Sequence, residues 1–366
     1  MNKSTWKYKT MESVCSKGSS NISINKLSDC KGIYPLYGAS GYVKDIDFFH
    51  QDKPYIGIVK DGAGVGRVSI YPAKSSLVGT MQYIIPSSQC SINYLYHFLC
   101  SLNVSKFVSG ATIPHIYFKD YGKSMIPIPS IKEQEIIASE LDMITEMISK
   151  YGEQLKELDK LSQSIFYEMF GDPVENEKGW EVKKLGDISS ICTGSTPNRN
   201  NDDYYKGTIP WVKSTEVNNC FINLTEENIT EKAINETNCK IFPIGTILMA
   251  MYGQGKTRGQ VAILNVNATT NQAIAAILPN CKYETLFIYH HLILMYEDIR
   301  SLARGGNQAN LNLGLVNSIK VILPPLALQQ SFARKIEAIE TMKSKVREAK
   351  KEAETLLAAR MQYWFE

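Results

Sequence analysis

The stretch from Ile131 to Phe170 constrains this chain most. It reads IKEQEIIASELDMITEMISKYGEQLKELDKLSQSIFYEMF, with no proline and one glycine. Apolar residues fall at Ile137, Leu141, Ile144, Ile148, Tyr151, Leu155, Leu158, Ile165 and Met169, and Ser162 takes the one polar step. Spacing that alternates four and three is a heptad seam, which predicts a long helix packed on another long helix. Forty such residues at the helical rise make a rod of roughly 60 Å. The rod lies mid-chain between two mixed segments, so it is expected to act as a spacer.

A chain of 366 residues accommodates two or more domains. No long apolar run is present, so no membrane span is expected. The N-terminal MNKSTWKYKTMESVCSKG has no apolar core of a signal peptide, which places the protein in the cytoplasm as an expectation. Eight cysteines are scattered, with no CxxC pair and no metal-ligand spacing, so they read as reduced structural thiols.

The net charge of +3 is unevenly spread. Residues 1–130 carry 14 basic and 7 acidic side chains, and residues 131–170 carry 4 and 9. Residues 171–325 carry 14 and 15, and residues 326–366 carry 8 and 6. The first segment is basic enough to approach a polyanion, but a nucleic-acid binder with this balance shares the electrostatic work with a partner.

An internal repeat organises the rest. SGATIPHIYFKDYGKSMIPIPSIKEQEIIASELD, from Ser109, matches RGGNQANLNLGLVNSIKVILPPLALQQSFARKIE, from Arg304, at a constant offset of 196. That alignment sets Gly110 on Gly306, Ile126 on Ile322, Pro129 on Pro325 and Gln134 on Gln330. Upstream, Tyr55–Val68 (YIGIVKDGAGVGRV) resembles Thr246–Val261 (TILMAMYGQGKTRGQV), and the segment at Trp6 resembles that at Trp180 with an offset of 174. The chain therefore reads globule (1–130), helix (131–170), linker and globule (171–325), helix (326–366). The turn-rich stretch Gly171–Gly179 ends the first helix.

The second helix shows apolar positions at Phe332, Ile336, Ile339, Met342, Val346, Ala349, Ala353 and Leu356. Pairing of the two helices is expected, its buried seam outweighing exposed charge pairs. Candidate strands are 55–59, 67–71, 81–85, 246–251, 260–264 and 273–278. Candidate helices are 92–102 and 284–303. The fold class is α+β: two pseudo-repeated globules separated by a long helical pair.

Ala250-Met-Tyr-Gly-Gln-Gly-Lys256-Thr257 formally satisfies the phosphate-loop pattern, which would make Lys256 the centre of a nucleotidase. That chemistry needs a helix beginning just after the lysine. Here a β-branched run follows, so a strand is expected and the anion cradle is not. The five histidines form no HExxH, no GxSxG occurs, and no NPPY-like, DPPY-like or FxGxG segment marks an adenine methyltransferase. No catalytic constellation is visible.

Polar and aromatic loops remain, and they occur twice. Tyr34–Tyr42 (YPLYGASGY) carries Tyr37, Ser40 and Tyr42, and its counterpart carries Lys213, Ser214 and Thr215. Lys60 and Arg67 flank the first glycine-rich turn; Gln254, Lys256, Thr257 and Arg258 lie in the second. Arg304, Asn307 and Gln308 add a further loop. Amides pair with adenine and cationic side chains with guanine, while Ser, Thr and Lys hold phosphates. These fifteen side chains are the candidate DNA-binding residues.

With these features in place the chain resembles the specificity subunits of type I restriction-modification enzymes. The resemblance rests on YPLYGASGY, GQGKTRG, the paired junctions IPIPSIKEQEII and ILPPLALQQSFA, and the helix ending SIFYEMFGDP. It covers essentially the whole chain. It implies two target recognition domains, each reading half of a split, asymmetric double-stranded DNA site, with the two helices packed as an antiparallel coiled-coil pair that fixes the spacing. It implies assembly with two methyltransferase subunits, which carry the S-adenosylmethionine and the DNA methylation, and with restriction subunits. No cofactor and no catalysis are expected of this chain itself. The alternatives are the Lys256 nucleotidase and a coiled-coil protein-interaction scaffold.

Overall fold

The computed structural model describes residues 1, 3–27, 31–110, 114–253, 255–303 and 310–366. Two helices of 40 residues each dominate it, Ile131–Phe170 and Leu326–Phe365. The first opens on a capping box: Ser130 Oγ accepts from the Glu133 amide (3.3 Å) and Glu133 Oε2 accepts from the Ser130 amide (3.0 Å). It ends at Gly171, whose φ of +77° is the left-handed stop that glycine adopts at little cost. There the Trp180 indole donates to the Phe170 carbonyl at 2.9 Å. The second helix starts after Pro324-Pro325, where ring-locked φ and a missing N–H do no harm.

The chain divides into two units, Met1–Glu153 with Val346–Glu366, and Gln154–Lys345. Each long helix gives one part to each unit. In the second unit Phe166 packs on Phe332 with ring centroids 5.5 Å apart, and Asp159 meets Lys343, so the two helices run antiparallel there. In the first unit Glu140 pairs with Arg360, and Trp364 and Phe365 join the core around Ile137, Ala138 and Leu141.

The expected seam is correct at its N-terminal end and shifted toward its C-terminal end, where Ile165 and Met169 are half-buried. Ile137, Leu141 and Ile144 are buried, but Ile148, Tyr151, Leu155 and Leu158 are only half-buried. Phe166 and Phe170, absent from the heptad reading, are fully buried. On the second helix Met342 and Leu356 are about half exposed, at 52 % and 49 %, while Lys343 is buried. The polar residue hid the true seam, which runs from Ile339 through Lys343 to Val346.

The globular part of the first unit pairs three antiparallel-rich sheets. A four-stranded sheet has the order Cys15–Ser19, Met81–Pro86, Tyr55–Val59, Val68–Tyr71. A three-stranded sheet has the order Gly41–Ile46, Tyr34–Gly38, Ser76–Leu77, the last pair parallel. A small ribbon joins Lys7–Thr10 to Met125–Ile128. The central strands are buried on both faces, and helix Ile92–Leu102 covers one side with Tyr94, Leu95, Phe98 and Leu99.

The second unit repeats this order. Ile191–Thr193, Ile274–Ile277, Ile247–Ala250 and Val261–Leu264 form the large sheet, extended by an added edge strand, Cys220–Ile222. Glu227–Ile229, Tyr205–Val212 and Thr269–Thr270 form the small one, again with one parallel pair. The six expected strands are all present, with ends moved by at most one residue. The helix expected over 284–303 is instead two, Thr285–Leu294 and Tyr296–Ser301, broken at Met295 (φ −85°, ψ 13°).

Ladder registers correct the repeat alignment at its most distinctive point. Lys9 faces Ile126 in the first ribbon, and Lys183 faces Val321 in the second. The offset there is 195, not 196, so Pro129 corresponds to Pro324 and Gln134 to Gln329. Hydrogen bonds agree. Gln134 Oε1 accepts from the Ser91 amide (2.8 Å) and its Nε2 donates to the Pro129 carbonyl (3.0 Å). Gln329 Oε1 accepts from the Glu284 amide (2.9 Å) and its Nε2 donates to the Pro324 carbonyl (2.7 Å). In both copies a buried glutamine ties the start of the long helix to the start of the globule's helix. Gln330 is exposed.

Candidate nucleic-acid interface

In the first unit the hairpin of Tyr34–Gly38 and Gly41–Ile46 turns through Ala39-Ser40, leaving Ser40 exposed and Tyr42 61 % exposed. Tyr37 sits behind, its ring 6.3 Å from Tyr42 and 4.7 Å from Tyr71. The turn Asp61–Gly66 joins the next two strands, with Gly62, Gly64 and Gly66 all at φ between +80° and +87°. Arg67 closes that turn and donates from Nη1 to the Ala39 carbonyl at 2.6 Å. One guanidinium thus ties the hairpin tip to the turn, so Tyr37, Ser40, Tyr42 and Arg67 come together. Lys60 stands beside them, its amide bonded to Thr80 (2.9 Å) and its carbonyl to Ile116 (3.0 Å).

This surface also holds residues that the sequence reading missed. Asp61 Oδ1 pairs with His115 Nδ1, and the His115 ring lies 4.1 Å from that of Tyr117. The Gly62 amide donates to the Pro114 carbonyl at 3.1 Å. Asp61 and His115 are 54 residues apart with no shared motif, so no local pattern could have linked them.

In the second unit Lys213 is not a free cation. Its ammonium contacts Glu226 Oε2 at 2.5 Å and Glu227 Oε1 at 3.1 Å, and these hydrogen bonds raise its pKa. Ser214 and Thr215 follow on a short 3-10 helix, Ser214–Glu216, Thr215 exposed. A second missed cation, Arg199, lies over the faces of Tyr205 and Trp211, each 4.7 Å away, and pairs with Glu227 at 2.5 Å. Arg199 holds the Glu227 carboxyl below its ordinary pKa, with Lys213 adding to the effect. Its polar neighbourhood, NRNNDD, carries no periodicity that would single it out.

The glycine-rich turn of the second unit leaves Lys256 exposed, with Thr257 and Arg258 half-buried. The Lys256 carbonyl accepts from the Tyr296 hydroxyl (2.6 Å) and the Arg258 carbonyl from Arg300 Nη1 (3.0 Å). The chain then enters strand Val261–Leu264, so no helix follows Lys256 and the phosphate-loop reading fails. Gln254, Arg304, Asn307 and Gln308 lie outside the described residues.

Among the described residues no group of three or more His, Cys, Asp or Glu is placed to hold a metal ion. Among them, too, no helix is long and apolar enough to cross a membrane.

A duplicated sheet pair, each copy carrying a glycine turn and a loop at the end of its small sheet (a hairpin tip in the first, Lys213–Glu216 in the second) and each followed by a long helix, defines a two-module recognition protein. The chain belongs to the family described as type I restriction modification DNA specificity domain, whose model matches residues 3–159 and 177–354. It is a DNA sequence-recognition subunit.

It is 25% identical over 291 residues to the type I restriction enzyme EcoR124I/EcoR124II specificity subunit of Escherichia coli. That match covers 76% of this chain and 70% of the relative. It is 32% identical over 161 residues to the MjaIX specificity subunit of Methanocaldococcus jannaschii, a match spanning 43% of this chain and 37% of that relative. A crystal structure of a type I restriction-modification system S subunit from M. genitalium superposes with a TM-score of 0.63 at 16% identity. It covers 99% of this chain and 96% of that one, and shows the shared fold.

Proposed function

We propose that this chain reads a bipartite, asymmetric DNA site and has no catalytic activity of its own. Each globule reads one half-site through its glycine turn and the loop at the end of its small sheet, and the helical pair sets the spacing between them. The observation that carries this reading is the duplication itself: two copies of one sheet topology present loops of different chemistry at corresponding places. Tyr37, Ser40, Tyr42, Lys60 and Arg67 serve one half-site. Ser214, Thr215, Lys256, Thr257 and Arg258 serve the other, with Lys213 beside them; Gln254, Arg304, Asn307 and Gln308 extend that set.

Half-sites read from the major groove lie about one helical turn apart, 34–36 Å. Linking two modest readers multiplies affinity through effective concentration. The partners are two methyltransferase subunits and restriction subunits, which bring the chemistry, and the setting is the cytoplasm. Adenine-methylome sequencing of the host with and without this chain tests the proposal. Loss of methylation at one split motif supports it, and an unchanged methylome overturns it. Deleting one heptad within 131–170 should change the preferred spacer; unchanged spacing refutes the ruler.

A further inference from the structure

The second glycine turn is closed at its base by its own backbone, the Gly259 amide donating to the Ala250 carbonyl (2.8 Å) and the Gln260 amide to the Thr257 carbonyl (3.1 Å). Gly255 and Gly259 take φ of +68° and +87°, the region glycine visits freely, and no helix begins there. The rest of its support comes from outside the turn. The break at Met295 starts a new short helix, Tyr296–Ser301, which lies against the turn. A Cβ on Gly259 would meet Arg300 Cγ at 3.2 Å, Ile299 Cγ2 at 3.6 Å and Tyr296 Cδ2 at 3.7 Å. Tyr296 donates to the Lys256 carbonyl and Arg300 to the Arg258 carbonyl, so the two residues flanking Thr257 are both held. Arg300 Nη1 also bonds the Tyr296 hydroxyl (2.9 Å), with its guanidinium 5.2 Å from that ring.

We propose that Tyr296 and Arg300 are positioning residues for DNA specificity, fixing the backbone from which Lys256 and Thr257 project. The inference rests on the reading of this turn as DNA-facing. Two carbonyls clamped on either side of Thr257 limit the directions its side chain and that of Lys256 can take. A reader held in one geometry discriminates between bases, whereas a loose one retains mainly charge attraction. The first unit does this differently. There Gly66 packs against the backbone of Ser105, and Arg67 reaches from the turn itself to Ala39.

Tyr296→Phe is the clean probe, since it removes one clamp and no charge. Arg300→Lys is the companion, keeping the charge but not the guanidinium fork. Amide hydrogen exchange at residues 255–259 in the full chain reads the clamp directly. Both variants should speed it, and unchanged exchange overturns the positioning role.

Methylation of a plasmid library by the complex with methyltransferase subunits reads the consequence. Tyr296→Phe should cut discrimination at one half-site about tenfold, the scale of one lost base contact. The salt dependence of binding should stay unchanged. Faster exchange with discrimination intact refutes the proposal. Lys256→Ala separates the underlying reading: it should lower the salt slope by about one. A silent Lys256→Ala removes the turn from the interface, and the positioning proposal with it.

Discussion

Lys343 and Asp159 form an ion pair of 2.7 Å within the helical pair of the second unit, with the lysine buried and the aspartate 61 % exposed. Glu340, one turn earlier, holds the same ammonium at 2.6 Å. A lysine in a seam position carries a desolvation cost that its partners offset, and such polar residues are best attested as register keys. Lys343→Met should therefore be neutral or stabilising in urea unfolding. Lys343→Glu, which places a third carboxylate among two, should cost about 3–5 kcal/mol. Equal destabilisation by both would show that packing volume, not charge, decides the position.

Two adjacent histidines give the second unit an acid limit. Burial lowers the pKa of His290 and His291 to about 3, with Lys343 adding to the effect at His290. His291 is held neutral in the native state, its Nε2 accepting from the Ile322 amide at 3.0 Å. A depressed histidine pKa means the unfolded chain binds protons first. The stabilisation is complete above the ordinary value of 6.5 and falls as pH drops from there toward 3. The slope reaches about 1.4 kcal/mol per pH unit for each histidine. Urea midpoints between pH 7.5 and 5 should fall accordingly, and less steeply in His290→Phe. A midpoint flat over that range would contradict the buried neutral state.

The glutamine at the start of each long helix is a sharper test of the repeat. Gln329→Ala strips the Glu284 amide and the Pro324 carbonyl of their partner, and Gln329 is 1 % exposed. Unsatisfied buried groups should cost about 1–3 kcal/mol. Gln330→Ala, on the exposed face, should be nearly silent. The opposite order would restore the 196-residue offset.

That one-residue shift marks what a sequence discloses here. Ile131–Phe170 was legible because its signal repeats over many turns, and the strands at Tyr55–Val59 and Ile274–Ile277 because buried apolar runs are short and bounded. Pro129-x-x-x-x-Gln134 aligns equally well on a pair of prolines and a pair of glutamines, so only the fold, through ladder register and hydrogen bonds, separates Gln329 from Gln330. Lys343 lies off the expected apolar positions, and composition does not show that two carboxylates await it. The candidate interface was legible as loops but not as contacts. Asp61–His115 and Arg199 with Tyr205 and Trp211 depend on strands brought together from distant places.

Gly152 is the one glycine within the first long helix, and a Cβ there meets nothing within 4 Å. Glycine in a helix interior is worse than alanine by about 0.8–1 kcal/mol. Gly152→Ala should raise stability by about that amount in urea unfolding. A loss of stability would mean that this point of the helix is held by backbone freedom.

The last prediction separates two lysines that the sequence treats alike. Lys213 already has two carboxylate partners, Glu226 and Glu227, with Arg199 sharing the latter. A phosphate approaching Lys213 must compete with both, so Lys213 releases few counterions from DNA. Lys256 is exposed, and among the described residues only its backbone carbonyl is engaged. Binding constants measured across a salt series, in complex with the methyltransferase, should distinguish them. Lys256→Ala should reduce the slope by about one, and Lys213→Ala should leave it nearly unchanged. Glu226→Gln with Glu227→Gln frees Lys213 and should steepen the slope. If Lys213→Ala flattens the slope as much as Lys256→Ala, DNA displaces the carboxylates, and the free-state ion pairs are a latch that the complex opens.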